Sequence, residues 1–371
     1  MKAERWESWK NGFDGSLCGV KQAIHTYCLL LLCAVFVQGC ALIDDDLSVC
    51  GTDFKLEIQM QLITNLDLEL ETTLSAETDV YTRTVLHNYF SHIFTDHAHD
   101  ISIGFYNTTD DELVYAIHDT IDASQSTYTF FLPKNNYYAI ALANLDGNEV
   151  VTQTDETNSR LAKLETPSSD TLPSQQTGLF TASLETYVQD TADQKIDIVL
   201  HMANCAFALV IDTNVVHIED IRGILCGMGD GLVLRDSLFT HNNPKATRME
   251  RITESATVKG QRSKVKGERT MSAPQEEADT ARYCLFGCVS FPSPDEPTLG
   301  TYYQAKVYVD MPDGTTTETV LSLYEPLKAG QLKIVRLELQ LDGSVVPTQG
   351  TEAGISVTLE WKDGGEHNII L

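Results

Sequence analysis

From Phe54 to Leu62 apolar and polar side chains alternate without a break: Phe54, Leu56, Ile58, Met60 and Leu62 against Lys55, Glu57, Gln59 and Gln61. Successive side chains of a strand point to opposite faces, so this stretch predicts a strand with one buried and one wet face. Similar runs recur at Ile101–Tyr106, Leu113–Ile117, Tyr128–Leu132, Tyr137–Ala143, Leu179–Val188 and Ile196–Met202. A second series follows at Ala206–Ile211, Ile221–Cys226, Leu232–Leu234, Tyr283–Phe291, Tyr302–Val309, Thr319–Tyr324, Leu332–Leu341 and Ile355–Trp361. One segment, Thr84–His97, departs from the period of two. Its Val85, Leu86, Tyr89, Phe90, Ile93 and Phe94 are spaced for the buried face of a helix, which is expected to cover a sheet edge or end.

Asp-Gly occurs at Asp146-Gly147, Asp230-Gly231, Asp313-Gly314, Asp342-Gly343 and Asp363-Gly364. The pair tolerates the positive φ angles of tight turns, so these sites predict antiparallel hairpins. Roughly seven strands per half close most simply into one β-sandwich each. The expectation is an all-β chain of two tandem β-sandwich domains with one short helix in the first, over residues 53–204 and 205–371, with the boundary near Ala203–Cys205. The stretch Thr152–Ser174 is rich in Thr, Ser, Asp and Pro and reads as a loop, with Leu161 and Leu164 able to support one helical turn. Val258–Ala281 carries Lys259, Arg262, Lys264, Lys266 and Arg269, then Glu276, Glu277 and Asp279, and reads as a long solvated loop in the second half.

Ahead of the strands, Cys28–Val37 is ten apolar residues long, followed by Gln38, Gly39 and Cys40. A membrane-spanning helix needs about 20, whereas ten suits the core of an export signal. Lys2, Arg5, Lys10 and Lys21 against Glu4, Glu7 and Asp14 make the preceding 27 residues basic by one charge; a start downstream of Met1 would shorten this long leader. Val37-Gln38-Gly39-Cys40 resembles the lipobox of bacterial lipoproteins. That resemblance implies cleavage after Gly39 and acylation of Cys40, a stable tether when two or more chains are attached. The alternative is an ordinary secreted protein cut near Gly39, with Cys40 a plain cysteine.

Charge narrows the partners. Removing the four basic and three acidic side chains of residues 1–39 from the chain's 26 and 53 leaves 22 against 50. Such a surface repels phosphate backbones and anionic head groups, so nucleic acid is not an expected partner. The cysteines beyond the signal are Cys40, Cys50, Cys205, Cys226, Cys284 and Cys288, with no CxxC spacing that would mark a structural zinc site. Cys205 shares a strand face with Phe207, Leu209 and Ile211, and Cys284 and Cys288 share one with Phe286; buried thiols and a disulfide among these are both open.

Catalytic motifs do not emerge. The densest group of ligand-type residues, His92, Asp96, His97, His99 and Asp100, lacks the spacing that converges on one helix face, and neither a nucleophile elbow, a phosphate loop nor a metalloprotease motif is present. The expectation is a non-enzymatic protein with no cofactor and no metal.

Two end segments carry a family resemblance. Cys40-Ala41-Leu42-Ile43-Asp44-Asp45-Asp46-Leu47-Ser48-Val49-Cys50, a C-x3-DDDLS-x-C pattern followed at once by an alternating strand, resembles the amino terminus of the Bacteroidales fimbrial anchor lipoproteins, the FimB-like minor subunits of type V pili. The closing ISVTLEWKDGGEHNIIL, with Val357, Leu359 and Trp361 on alternate positions, is similar to that family's last strand. The resemblance implies transthyretin-like sandwiches, a signal peptide over residues 1–39, and a lipidated acidic linker over residues 40–52. It also implies an outer-membrane, surface-exposed location through acylated Cys40. It further implies a role in anchoring a fimbrium and limiting its length, with a stalk fimbrillin bound by β-strand donation. A fimbrial tip adhesin or surface glycan-binding lipoprotein is the competing expectation.

Overall fold

The computed structural model describes residues 54–63, 80–93, 98–120, 127–189, 194–213, 216–253, 282–297, 300–348, 355–361 and 365–369. The signal, Gly39, Cys40, the acidic linker, Cys50, residues 258–281, Asp96 and His97 lie outside the described residues, as does the His92 side chain. No helix among the described residues is long and apolar enough to cross a membrane.

The first half contains β1 (Phe54–Ile63), α1 (Val80–Ile93), β2 (Asp100–Asn107), β3 (Leu113–Thr120), β4 (Thr127–Leu132), β5 (Asn135–Ala143), β6 (Thr152–Thr154), β7 (Lys163–Glu165), β8 (Thr171–Leu172), β9 (Phe180–Val188) and β10 (Gln194–Met202). Seven of these form one sheet in the order β3-β2-β5-β9-β10-β1-β4. The alternation in β1 does what it predicts, burying Leu56, Ile58 and Met60. Between β9 and β10 the ladder narrows to two residue pairs, Thr181 with His201 and Phe180 with Met202. There the sheet folds over itself. Phe130 of β4 meets Phe105 of β2 edge to face, with ring centres 5.1 Å apart, and Tyr115 of β3 at 5.8 Å, although these strands lie at opposite ends of the order. One curled sheet thus makes both walls of the first sandwich.

The second half contains β11 (Cys205–Asp212), β12 (Asp220–Met228), β13 (Gly231–Val233), β14 (Leu238–Thr240), β15 (Lys245–Arg248), β16 (Glu250–Ile252), β17 (Tyr283–Ser290), β18 (Tyr303–Asp310), β19 (Thr316–Leu323), β20 (Leu332–Leu339), β21 (Val345–Pro347), β22 (Ile355–Trp361) and β23 (Gly365–Ile369). A five-stranded sheet, β16-β17-β11-β20-β21, faces a seven-stranded one, β23-β22-β19-β18-β12-β15-β8. Phe207, Leu209 and Ile211 pack between them with Val307, Val309 and Leu321. Ala206, Ala208 and Val210, on the other face of β11, join the apolar cluster of the first half. The five-stranded sheet is covered on both sides, which is why Cys205–Ile211 is an unbroken apolar run rather than an alternating one.

The helix begins four residues before the expected Thr84, and its Val85, Leu86, Phe90 and Ile93 are buried as their spacing requires. It packs against β16 and β17 of the second half. At Gly287 of β17 an added Cβ would lie 2.8 Å from the Tyr89 ring and 3.2 Å from the Phe90 ring, so only glycine permits this approach. Tyr89 also donates its hydroxyl to the Glu250 carboxylate at 3.2 Å.

Two expectations need correction. The predicted loop Thr152–Ser174 contains β6, β7 and β8. β6 and β7 join β13 and β14 in a four-stranded sheet, β14-β13-β7-β6, and β8 pairs in parallel with β15. Strands of two or three residues are too short to carry a period. Leu164 is buried against the outer face of the first sheet with Ile140, Leu142 and Leu232, whereas Leu161 points to solvent. Of the Asp-Gly pairs, Asp313-Gly314 and Asp342-Gly343 close hairpins, each with glycine φ at +83°. Asp146-Gly147 and Asp230-Gly231 instead carry the chain between sheets, and Asp363-Gly364 lies outside the described residues. Beyond the hairpins, β1 runs parallel to β10, and β11 to β20.

Candidate assembly edges

A sheet edge carries unpaired backbone N–H and C=O groups, and monomeric proteins guard such edges by keeping them short or by placing charge, proline or bulges on them. Among the described residues, most edges here are guarded by brevity. β6, β14, β16 and β21 have three residues each and β8 two, and β21 ends in Pro347. The longer edges are the two of the first sheet, β3 with eight residues and β4 with six, and β23 with five, which carries the charge of Glu366.

β4 reads TYTFFL, without a charge, glycine or proline. One side pairs antiparallel with β1, from Phe54 with Leu132 to Gln59 with Thr127, and its other side has no strand partner among the described residues. Tyr128, Phe130 and Leu132 point into the sandwich, while Phe131 is 60% exposed. β3 likewise exposes Val114 and Tyr115, with its charges confined to His118 and Asp119 at one end. His118 Nε2 lies 3.0 Å from Asp146 Oδ2.

The turn that launches β3 is pinned to the second half. Asp111 has a φ of +63° and a buried carboxylate. Arg235 Nη1 donates to its Oδ1 at 2.6 Å, Arg160 Nε lies 2.6 Å from Oδ2, and the Ser159 hydroxyl donates to Oδ1 at 3.2 Å. The Arg235 guanidinium stacks 3.8 Å from the centre of the Tyr138 ring. Planar stacking and a fixed fork suit arginine where lysine would serve poorly. Nothing in the sequence marks Asp111 and Arg235 as partners, since no periodicity links positions 124 residues apart.

Of the candidate ligand-type cluster, His99 and Asp100 are among the described residues with their side chains. His99 is exposed, with its amide donating to Asn144 Oδ1 at 2.7 Å. Asp100 is buried, and its Oδ1 accepts the Leu145 amide at 3.1 Å while Oδ2 has no hydrogen-bond partner. Burial holds its pKa above the usual carboxylate range, against the opposing pull of backbone amides in the Leu145–Asp146 turn. Among the described residues no three His, Cys, Asp or Glu side chains are placed to share a metal ion. Cys205, Cys226, Cys284 and Cys288 are free thiols, and burial pushes Cys205 up to about 12.

Residues 67–273 match the family model of the fimbrillin-A associated anchor proteins Mfa1 and Mfa2. No curated protein matches the chain in sequence. Among solved structures, the fimbrial anchor protein Mfa2 from Porphyromonas gingivalis is similar at 12% identity over 85% of this chain and 100% of that one, with a TM-score of 0.46. The tip fimbrial protein Mfa3 from the same organism, with C-terminal truncation, is similar at 10% identity over 83% of this chain and 100% of that one, with a TM-score of 0.38. The family model spans more than half of the sequence and takes in α1, β3, β4 and the Asp111–Arg235 pair; the chain belongs to the fimbrillin-A associated anchor proteins.

Proposed function

We propose that this protein is the membrane anchor subunit of a fimbrium. In this reading the signal over residues 1–39 exports the chain, Cys40 is acylated after cleavage at Gly39, and the acidic linker lifts the sandwiches, residues 53–204 and 205–371, off the outer surface of the outer membrane. A strand of the stalk fimbrillin adds to the free side of β4, where main-chain hydrogen bonds supply strength and alternate side chains set register. An anchor occupied by one stalk starts one fibre, which ties the number of anchors to fibre number and length. The observation that carries this reading is membership of the anchor family together with a six-residue edge that bears no guarding charge.

Replacing the lipidated cysteine tests the tether. Cys40→Ala is expected to release the protein from the outer membrane and shed fimbriae into the medium; fimbriae that stay on the cell would overturn it. Immunogold labelling separates this role from that of a tip adhesin or surface glycan-binding lipoprotein, because an anchor labels the fibre base and an adhesin its distal end.

A further inference from the structure

The chain is strongly acidic, yet one cleft in the second half is lined by arginine. Between β15 and β16 the backbone crosses from the seven-stranded to the five-stranded sheet at Met249, and a cleft of about 550 Å³ opens there. Ile221, Ile224, Met249 and Tyr308 contribute to its walls, and Arg222, Arg248 and Arg251 line it. Arg222 is already committed: its Nη2 donates to both Asp310 carboxylate oxygens at 3.0 and 2.9 Å, with Asp220 3.7 Å from its Nε. It also lies 5.8 Å from the centre of the Tyr308 ring. Arg248 is exposed, and its side chain has no ion pair or hydrogen bond among the described residues. Arg251 is exposed as well and donates to Cys284 Sγ at 3.4 Å, a weak acceptor.

Two guanidiniums without carboxylate partners among the described residues are unexpected in a protein with twice as many acidic as basic side chains. We propose that this cleft binds a carboxylate-bearing sugar of the uronic acid class. A guanidinium fork matches a planar carboxylate in two parallel hydrogen bonds. The volume falls in the range of small-ligand sites, which combine apolar walls with a few placed polar groups. The Tyr308 ring and the Ile221 and Met249 side chains offer an apolar wall to the C–H face of a sugar ring, a surface that a bare inorganic anion would leave uncovered. Asp220 at the rim disfavours a second negative charge, which selects a singly charged ligand over a phosphate ester. This site is independent of the anchor reading, because neither the lipid nor the β4 edge takes part.

Calorimetric titration of the full chain in detergent with sodium glucuronate, glucose and inorganic phosphate tests the site. Saturable binding of glucuronate, with glucose silent, is expected. Arg248→Ala with Arg251→Ala is expected to weaken it by at least about tenfold, the loss typical of a charge-assisted hydrogen bond. Both side chains are exposed, so the melting temperature should not move, and melting of the double variant checks this. Glucuronate heats that never saturate, equal binding by the double variant, or equal displacement by phosphate at the same concentration would each overturn the assignment.

Discussion

Arg235 and Asp111 stand 124 residues apart in the chain and 2.6 Å apart in the fold. The contact joins the turn ahead of edge strand β3 to the turn between β13 and β14, so it links the first sheet to the second half. A buried carboxylate held by two guanidiniums is costly to break from one side, because the partner left behind stays desolvated. Arg235→Ala is expected to lower unfolding free energy by roughly 2–4 kcal/mol, with Arg235→Lys recovering only part of it. Urea denaturation measures this, and a change below about 0.5 kcal/mol, the ordinary range of surface substitutions, would remove the pair from the stabilising core.

Asp100 makes stability depend on pH in a stated direction. Its folded pKa is raised by burial, so the native state holds the proton more tightly than the unfolded chain does. That contribution is fully present below the unfolded value of about 3.9 and is lost as pH rises through the folded value. Asp100→Asn keeps a neutral side chain whose oxygen still accepts the Leu145 amide. The melting temperature of the variant relative to the parent should therefore climb from acidic to neutral pH; a constant difference would show that Asp100 titrates normally.

Gly287 is where the helix touches the second half most closely. A methyl group there meets the Tyr89 ring at 2.8 Å and Ile252 at 3.0 Å, neither of which can retreat without disturbing the core. Gly287→Ala is expected to cost about 1–3 kcal/mol by overpacking. Faster hydrogen exchange across Val80–Ile93 would locate the damage in α1, and unchanged protection there would contradict it.

Phe131→Glu tests the docking edge without disturbing the fold, because the residue paired with it on β1 is Lys55. The side chain is 60% exposed, so stability should change by no more than about 0.5 kcal/mol, while a charge on an edge strand is a device that blocks edge pairing. Capture of the stalk fimbrillin on an immobilised protein should fall sharply. Undiminished capture would place the docking strand elsewhere.

Much of the fold is legible from local chemistry. The alternating run in β1, the helical spacing in α1 and the shared face of Cys205, Phe207, Leu209 and Ile211 each express a repeat that the backbone imposes on neighbouring residues. These repeats are enough for the all-β class and for the elements that bury most of the core. β6, β7, β8 and β14 escape detection because two or three residues span no full repeat, and their existence depends on distant partners.

The candidate site divides along the same line. The expected cleavage after Gly39 and acylation of Cys40 rest on order along the chain alone, because such signals are short linear patterns. That TYTFFL is an edge, that the sheet holding it curls until Phe130 meets Tyr115, and that Asp111 finds Arg235 are decisions of tertiary structure. A strand's own residues do not say which of its two sides is paired. That depends on where the rest of the sheet closes, and closure is a long-range balance of packing that no local pattern encodes.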